Sequence, residues 1–453
     1  MFSELLNLQR EFFLSGKTKS YAFRMKQLTL LCETINRYEN EIIEALYQDL
    51  GKSSFEAYLT EIGVVKKEIK DIKKYLKRYM KPQRVQHGIA LFKAKSMLFQ
   101  EPYGTVLIIA PWNYPFQLAI APLIGAIAAG NTAVIKVSEY AMHTEKILVK
   151  MIEETFSEEY IKVITGGVNE SQELLSEHFD YIFFTGSPAV GKIVMKNASE
   201  HLTPVTLELG GKSPAIIEDV KDIALISKRI AYGKFINAGQ TCIAPDYIWV
   251  KEELKDSLIQ GLKEAITLFF GNDPINHEDY PKIINQKHHD RLIHLIEDKK
   301  VVFGGNYNEI KISPTICDNV SWDDKMMQEE IFGPILPIMS YKKLDEVIKT
   351  LKKKDKPLAL YLFTEKKNIK KKIVQELSFG GATINDTLMH FANENLPFGG
   401  VGNSGMGAYH GKHSFYTFSH AKGVVDRSTN IDVTLRYMPT SDTNIKIIKK
   451  LMK

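Results

Sequence analysis

Cysteine is scarce in this chain. Cys32, Cys242 and Cys317 are the three thiols among 453 residues. They lie too far apart for the paired spacing of a zinc site, and their odd number argues against a disulfide framework. A reducing compartment, the cytoplasm, is the expectation. Long hydrophobic runs are missing too. The longest, Leu118 to Ala129, contains Pro122 and is too short to span a bilayer, so it predicts a buried helix. The opening residues Met1-Phe-Ser-Glu-Leu lack the basic start and apolar stretch of a secretory signal. Charge of one sign is also lacking. With 59 basic and 54 acidic side chains the net charge is +5, too mild to argue for nucleic acid. The lysine runs at 352–354 and 370–372 flank helical patterns and are expected as solvated faces. Fixed-period repeats and low-complexity segments are absent as well.

What is present is ordinary globular material, 44% hydrophobic and 25% charged, long enough for about three domain-sized units. Leu28, Leu31, Cys32, Ile35, Tyr38, Ile42 and Leu46 recur at helical spacing and predict an amphipathic helix with Cys32 as an inert core residue. From 105 to 217, short β-rich runs alternate with helical patterns. The strands expected there are 105–109, 132–135, 162–164, 181–184, 206–209 and 215–217, with helices near 117–129, 142–155 and 190–200. A second such stretch from 222 to 385 offers strands at 247–250, 301–303, 335–338 and 358–363. Alternation of this kind implies parallel strands with crossover helices, hence two doubly wound α/β units. Residues 395–420, dense in glycine, histidine and aromatics, predict a loop. The basic amphipathic end, 444–453, predicts a surface helix or subunit contact, with peripheral membrane binding as the alternative.

Three short motifs carry chemistry. Asn237-Ala-Gly-Gln-Thr-Cys242 places a thiol after a run of small residues, delivered by the helical stretch 223–235. A thiolate there can add to a carbonyl, and the small neighbours permit close approach. Val205-Thr-Leu-Glu208-Leu-Gly-Gly alternates so that Glu208 faces away from Leu207 and Leu209; apolar flanks would raise its pKa towards that of a general base. The alternative is a strand-end carboxylate paired with Lys212. Pro111-Trp-Asn113-Tyr-Pro115 follows a strand, where open α/β sheets place ligands, and the Asn113 amide could donate to an oxyanion. The alternative is a turn residue ahead of a helix. Two look-alikes are rejected. Gly186 to Lys192 nearly spells a P-loop, but Ile193 stands where a hydroxyl is needed. Gly400-Val-Gly-Asn-Ser-Gly405 matches a dinucleotide fingerprint without the preceding strand. The glycines at 186 and 191 are expected to admit a pyrophosphate near a helix N-terminus.

Taken together with Lys136-Val-Ser-Glu139, Phe184-Thr-Gly-Ser187, Glu329-Glu-Ile-Phe-Gly-Pro334 and Pro397-Phe-Gly-Gly400, these motifs resemble the aldehyde dehydrogenase superfamily over almost the whole chain. The run 402–415 resembles its class 3, fatty-aldehyde branch. The resemblance implies an NAD(P)-binding domain over 1–82 and 105–209, a catalytic domain over 210–395, and a bridging, oligomerising segment over 83–104 and 396–453. It implies Cys242 as nucleophile, Glu208 as the base for a deacylating water, and Asn113 with the Cys242 N–H as oxyanion hole. It further implies a cofactor site of Trp112, Lys136, Ser138, Glu139, Thr185, Gly186, Ser187, Gly191, Leu209, Gly210, Glu330 and Phe332. Val137 departs from the proline common between that lysine and serine. NAD, possibly NADP, is the implied cofactor, with Glu139 favouring NAD; a homodimer is the implied assembly. Tyr114, with Phe116 beside it, suggests an apolar approach for medium or long aliphatic or aromatic aldehydes. Two other readings stay open: a cofactor-independent thiol hydrolase, which needs a histidine partner, and an inactive binding protein on the same scaffold.

Overall fold

The computed structural model describes residues 2–296, 300–439 and 441–452. Its N-terminal quarter is helical. The stripe from Leu28 to Leu46 is buried as its spacing predicts, but on two helices, Tyr21–Arg37 and Glu39–Leu50. The break falls at Tyr38 (φ −99°, ψ 11°), whose hydroxyl is tied to the Glu154 carboxylate of another helix. Cys32 is half-buried against the core rather than sealed inside it. Helix Gln117–Ala129 is buried along its whole length. It stops at Gly130 in a left-handed conformation.

Six strands form the first sheet, in the spatial order Gly405–Met406, Val205–Leu209, Tyr181–Gly186, Thr105–Ile109, Thr132–Lys136, Ile161–Ile164. All but the first run parallel. The order of connection reverses beside Thr105–Ile109, whose neighbours are Thr132–Lys136 on one side and Tyr181–Gly186 on the other. A crevice at strand C-termini belongs at such a switch point. Register brings Ile109 level with Lys136 and Phe184, and Gly186 level with Leu209. The residues that follow these ends, including Trp112 and Asn113, therefore share one rim.

The second sheet has seven strands: Val301–Phe303, Thr315–Cys317, Ile335–Tyr341, Tyr247–Lys251, Pro214–Asp219, Ala359–Thr364 and Gly381–Ile384. Only Val301–Phe303 is antiparallel. The run 215–217, expected within the first alternating stretch, lies instead at the heart of this sheet, between Tyr247–Lys251 and Ala359–Thr364. Two glycines, Gly210 and Gly211, let the chain leave one sheet for the other straight after Leu209.

A third, antiparallel sheet joins Gln83–Arg84, Ala94–Pro102 and Ser419–Arg427. The 395–420 region is less loose than its composition predicts. It contains the strand Gly405–Met406, which pairs with Val205–Leu209, and the short helix Lys412–Thr417. The final helix, Asp442–Leu451, buries none of its residues. Among the described residues no helix is long and apolar enough to cross a membrane.

Candidate active site

Helix Ile223–Phe235 ends and the chain turns through three successive left-handed residues, Asn237, Ala238 and Gly239, with φ of 52°, 50° and 74°. Asparagine tolerates this region and glycine prefers it; alanine does not, so Ala238 holds strain. A Cβ on Gly239 would lie 2.3 Å from the Gly333 carbonyl oxygen, so no other residue fits. Hydrogen bonds hold the turn. The Asn237 N–H donates to Glu56 at 2.9 Å. The Gln240 amide donates to the carbonyls of Asn237 and Lys282, and its oxygen accepts from the Ile284 N–H. The small-residue run is thus a tight reversal that presents Cys242.

Cys242 lies at a cavity of about 400 Å³. Its walls are mostly apolar, with Tyr114, Tyr232, Ile243, Leu388, Phe391 and Phe398 among them. Tyr114 lines the pocket, and its hydroxyl is 2.6 Å from Thr241 Oγ1. Phe116 does not: it is fully buried in the core beneath helix Gln117–Ala129. Burial pushes the Cys242 thiol up to about 12, and the Glu330 and Glu208 carboxylates add to the push.

Glu208 is buried, and neither carboxylate oxygen has a hydrogen-bond partner. Leu207 and Leu209 point into the apolar core on the other face of the strand. Desolvation holds the Glu208 carboxyl well above the usual range. The pairing with Lys212 does not form; Lys212 is bonded to Asp246. The turn Gly400–Gly405 explains the rejected fingerprint. It opens no helix, and Gly405 lies level with Glu208 on the edge strand.

Asn113 is buried, with Nδ2 donating to the Gln240 carbonyl at 3.0 Å, which leaves its second N–H for another acceptor. Its own carbonyl accepts from Asn237 Nδ2 at 2.8 Å and from Lys52 Nζ at 3.0 Å. Asn113 is therefore stitched to the very turn that carries the cysteine.

The remaining expected residues lie at or just after strand ends of the first sheet, on the helix that follows Gly186, and at 330–332. Lys136, buried, turns Nζ onto the carbonyls of Val137 (2.5 Å) and Gly166 (2.7 Å); burial lowers its pKa and Glu139 opposes that. The Ser138 hydroxyl accepts from the Tyr140 N–H at 3.4 Å. The Thr185 hydroxyl is buried without a partner. Gly186 ends its strand, and Ser187 caps helix Pro188–Ser199 by accepting from Val190. The look-alike phosphate loop is thus an ordinary capped helix with an exposed Lys192. A Cβ on Gly191 would press on Leu209 at 2.8 Å, so its smallness serves helix–strand packing. Glu330 leans on Gly210, whose Cβ would lie 2.1 Å from Oε2; burial and Asp246 raise its carboxyl to about 8. Phe332, left-handed at φ 49°, meets Trp112 edge-on at 5.4 Å.

Several residues near the site were not anticipated. Lys52, Glu56 and Glu61 are buried behind Asn113 and Asn237. Arg291 donates to the Ile331 carbonyl at 2.7 Å, and His288 packs 5.0 Å from the Trp112 ring. Charged residues in a helical N-terminal stretch read as solvated from sequence, and nothing in their spacing distinguishes them.

An aldehyde dehydrogenase family model matches residues 10–424. The chain belongs to the aldehyde dehydrogenase family. It is 51% identical to a Staphylococcus aureus 4,4'-diaponeurosporen-aldehyde dehydrogenase, over 98% of this chain and 97% of that protein. Identity is 44% to an aldehyde dehydrogenase family 3 member A2 from Pongo abelii, over 96% and 91% of the two chains. The solved, substrate-bound structure of a Staphylococcus aureus AldH superposes with a TM-score of 0.98 at 50% identity, covering both chains completely. A glyceraldehyde-3-phosphate dehydrogenase from Methanocaldococcus jannaschii, solved with NADP, superposes at 0.84 with 26% identity, covering 94% of each chain. The class 3-like branch, the α/β fold and NAD(P)-dependent aldehyde oxidation hold for this chain. A nicotinamide dinucleotide suits this rim chemically: the Thr185 hydroxyl, buried without a partner, and the Lys136 ammonium both lie at C-terminal strand ends of the first sheet.

Proposed function

We propose that Cys242 is the nucleophile, Glu208 the base and Asn113 the oxyanion donor of an enzyme that oxidises apolar aldehydes. Three observations support this reading: Cys242 opens on a mostly apolar cavity, the Asn113 amide is hydrogen-bonded to the turn that carries the cysteine, and Glu208 is a buried, unpartnered carboxylate whose charge bears on the thiol. The attacking form of Cys242 is its thiolate; burial raises the thiol and, separately, the unpartnered Glu208 carboxyl, which is kept for the later, deacylating step. Cys242 then adds to the aldehyde carbon, and the Asn113 amide with the Cys242 N–H holds the oxyanion. A bound nicotinamide ring supplies the hydride acceptor. Cys242 is left carrying a thioester, and Glu208 takes the proton of the water that hydrolyses it to the acid.

Lys136 and Glu139 hold the adenosine ribose, and Glu139 disfavours a 2′-phosphate, so NAD is preferred over NADP. Trp112, Ser138, Thr185, Gly186, Ser187, Gly191, Leu209 and Gly210 line the rest of the cofactor crevice; Glu330 and Phe332 set the nicotinamide end. The aromatic and aliphatic walls favour medium or long aliphatic or aromatic aldehydes. Residues 1–82 and 105–209 serve as the cofactor domain, 210–395 as the catalytic domain, and 83–104 with 396–453 as the segment through which two copies pair. A reducing cytoplasm accords with an unbridged thiol nucleophile. A histidine-assisted hydrolase is disfavoured, since the groups bearing on the thiol are carboxylates.

Cys242→Ala should abolish NADH formation measured by absorbance; wild-type turnover would refute the assignment. Glu208→Gln should leave a pre-steady-state burst of NADH followed by turnover slowed about a hundredfold or more. If burst and steady rate fall together, Glu208 acts before the thioester forms. A panel of aldehydes graded by chain length, run with NAD and NADP in parallel, tests the substrate and cofactor assignments.

A further inference from the structure

Behind the oxyanion donor lies an ion pair that the chemistry above does not use. Lys52 and Glu61 are both fully buried, with Nζ 2.5 Å from Oε1. Each of their remaining capacities is spent on one neighbourhood. Lys52 Nζ donates to the Asn113 carbonyl at 3.0 Å and sits 3.9 Å from the centre of the Tyr114 ring. Glu61 Oε2 accepts from the N–H groups of Phe116 (2.9 Å) and Gln117 (3.1 Å), at the start of helix Gln117–Ala129. The pair therefore grips residues 113 to 117 at both ends. That segment belongs to no strand and reaches its helix only at Gln117, so no ladder fixes it.

The local backbone around Glu61 is unusual in a way that bears on this. Residues Tyr58–Ile62 form a π-helical turn between helix Ser54–Ala57 and helix Gly63–Met80. Such wide turns cost stability and concentrate at functional sites. A fully buried pair is itself weak evidence for stability, because desolvation cancels most of its attraction. Two costly devices therefore meet in the pair that holds residues 113 to 117.

We infer that Lys52 and Glu61 are positioning residues that set the Asn113 amide in register with the Cys242 turn for oxyanion binding. The inference rests on the assignment of Asn113 as oxyanion donor. Asn113 is held from two sides, by Lys52 through its carbonyl and by Gln240 through its amide. Removing the ammonium leaves Asn237 as the remaining donor to that carbonyl and frees the segment to shift. A displacement of about 1 Å at a reacting group can cost on the order of a hundredfold in rate.

The test compares four variants of the full-length enzyme with wild type: Lys52→Met, the double variant Lys52→Met/Glu61→Gln, Glu61→Asp, and Asn113→Ala as reference. Thermal midpoint, aldehyde KM and the single-turnover rate of NADH formation are measured for each. Lys52→Met leaves Glu61 unpaired and should lower the melting temperature. The double variant removes both charges and should recover most of that loss. Its single-turnover rate should nonetheless stay about tenfold to a hundredfold below wild type, with KM within about twofold. A purely structural pair predicts the opposite: rate returning with stability. Recovery of the wild-type rate in the double variant overturns the inference. If the double variant does not fold, Glu61→Asp decides, since it keeps both charges and only shortens the reach; a wild-type rate there overturns it equally. Asn113→Ala separates the two levels. Its failure to slow the single-turnover step removes the oxyanion assignment and this inference with it. A slow Asn113→Ala beside a fast double variant removes only the positioning role.

Discussion

Glu208 is the residue whose surroundings say most about its use. A carboxyl buried without a partner is a liability for folding, and the sign of its pH dependence follows directly. Its folded pKa lies above its unfolded value, so the unfolded chain releases the proton first as pH rises. Stability is then lost from about pH 4 upward until the folded pKa is reached, at up to about 1.4 kcal/mol per pH unit. Glu208→Gln, which cannot ionise, should raise the melting temperature, and by more at pH 8 than at pH 5. An equal effect at both pH values would contradict the desolvation. Cys242 obeys the same sign in a higher window. With the thiol at about 12, its alkylation by iodoacetamide, followed by mass spectrometry at that residue, should rise about tenfold per pH unit from pH 7 to 10 without a plateau. Both residues were legible from sequence, because a lone thiol among small residues and an acid alternating with leucines are local patterns. Lys52 and Glu61 were not, because their burial depends on a π turn and on partners far along the chain.

At the scale of elements, the turn Gly400–Gly405 is the part most exposed to test. Gly405 adopts φ 140°, and a Cβ there would lie 2.2 Å from the Leu207 carbonyl oxygen. Gly405→Ala should push the edge strand away from Val205–Leu209, cost about 2–4 kcal/mol and lower activity as Glu208 shifts. Unchanged melting and turnover would show that the strand tolerates the separation. The parallel strands were readable as β-rich runs between helical patterns. The two-residue strand Gly405–Met406 was not, since its one glycine carries no β signal and its pairing partner lies almost 200 positions earlier. The split of 215–217 from the first sheet was hidden for a related reason: periodicity marks a strand but not the sheet it joins.

For the whole molecule, the third sheet is the feature that points outward. Its strand Ser419–Arg427 is an edge, and Val424 and Val425 on it are exposed. Long edges with apolar side chains are poor surfaces for a lone protein. The proposed homodimer predicts that Val425→Asp shifts sedimentation from twice the chain mass towards the single chain; an unchanged profile would place the interface elsewhere. The same sheet, with the edge strand beside Glu208, has a consequence for biosynthesis. Ala94–Pro102 waits for Ser419–Arg427, and the Glu208 strand waits for Gly405–Met406. Residues up to about 427 must therefore have left the ribosome before both pairings can form, so shorter nascent chains leave the Glu208 strand without its edge partner and the third sheet open.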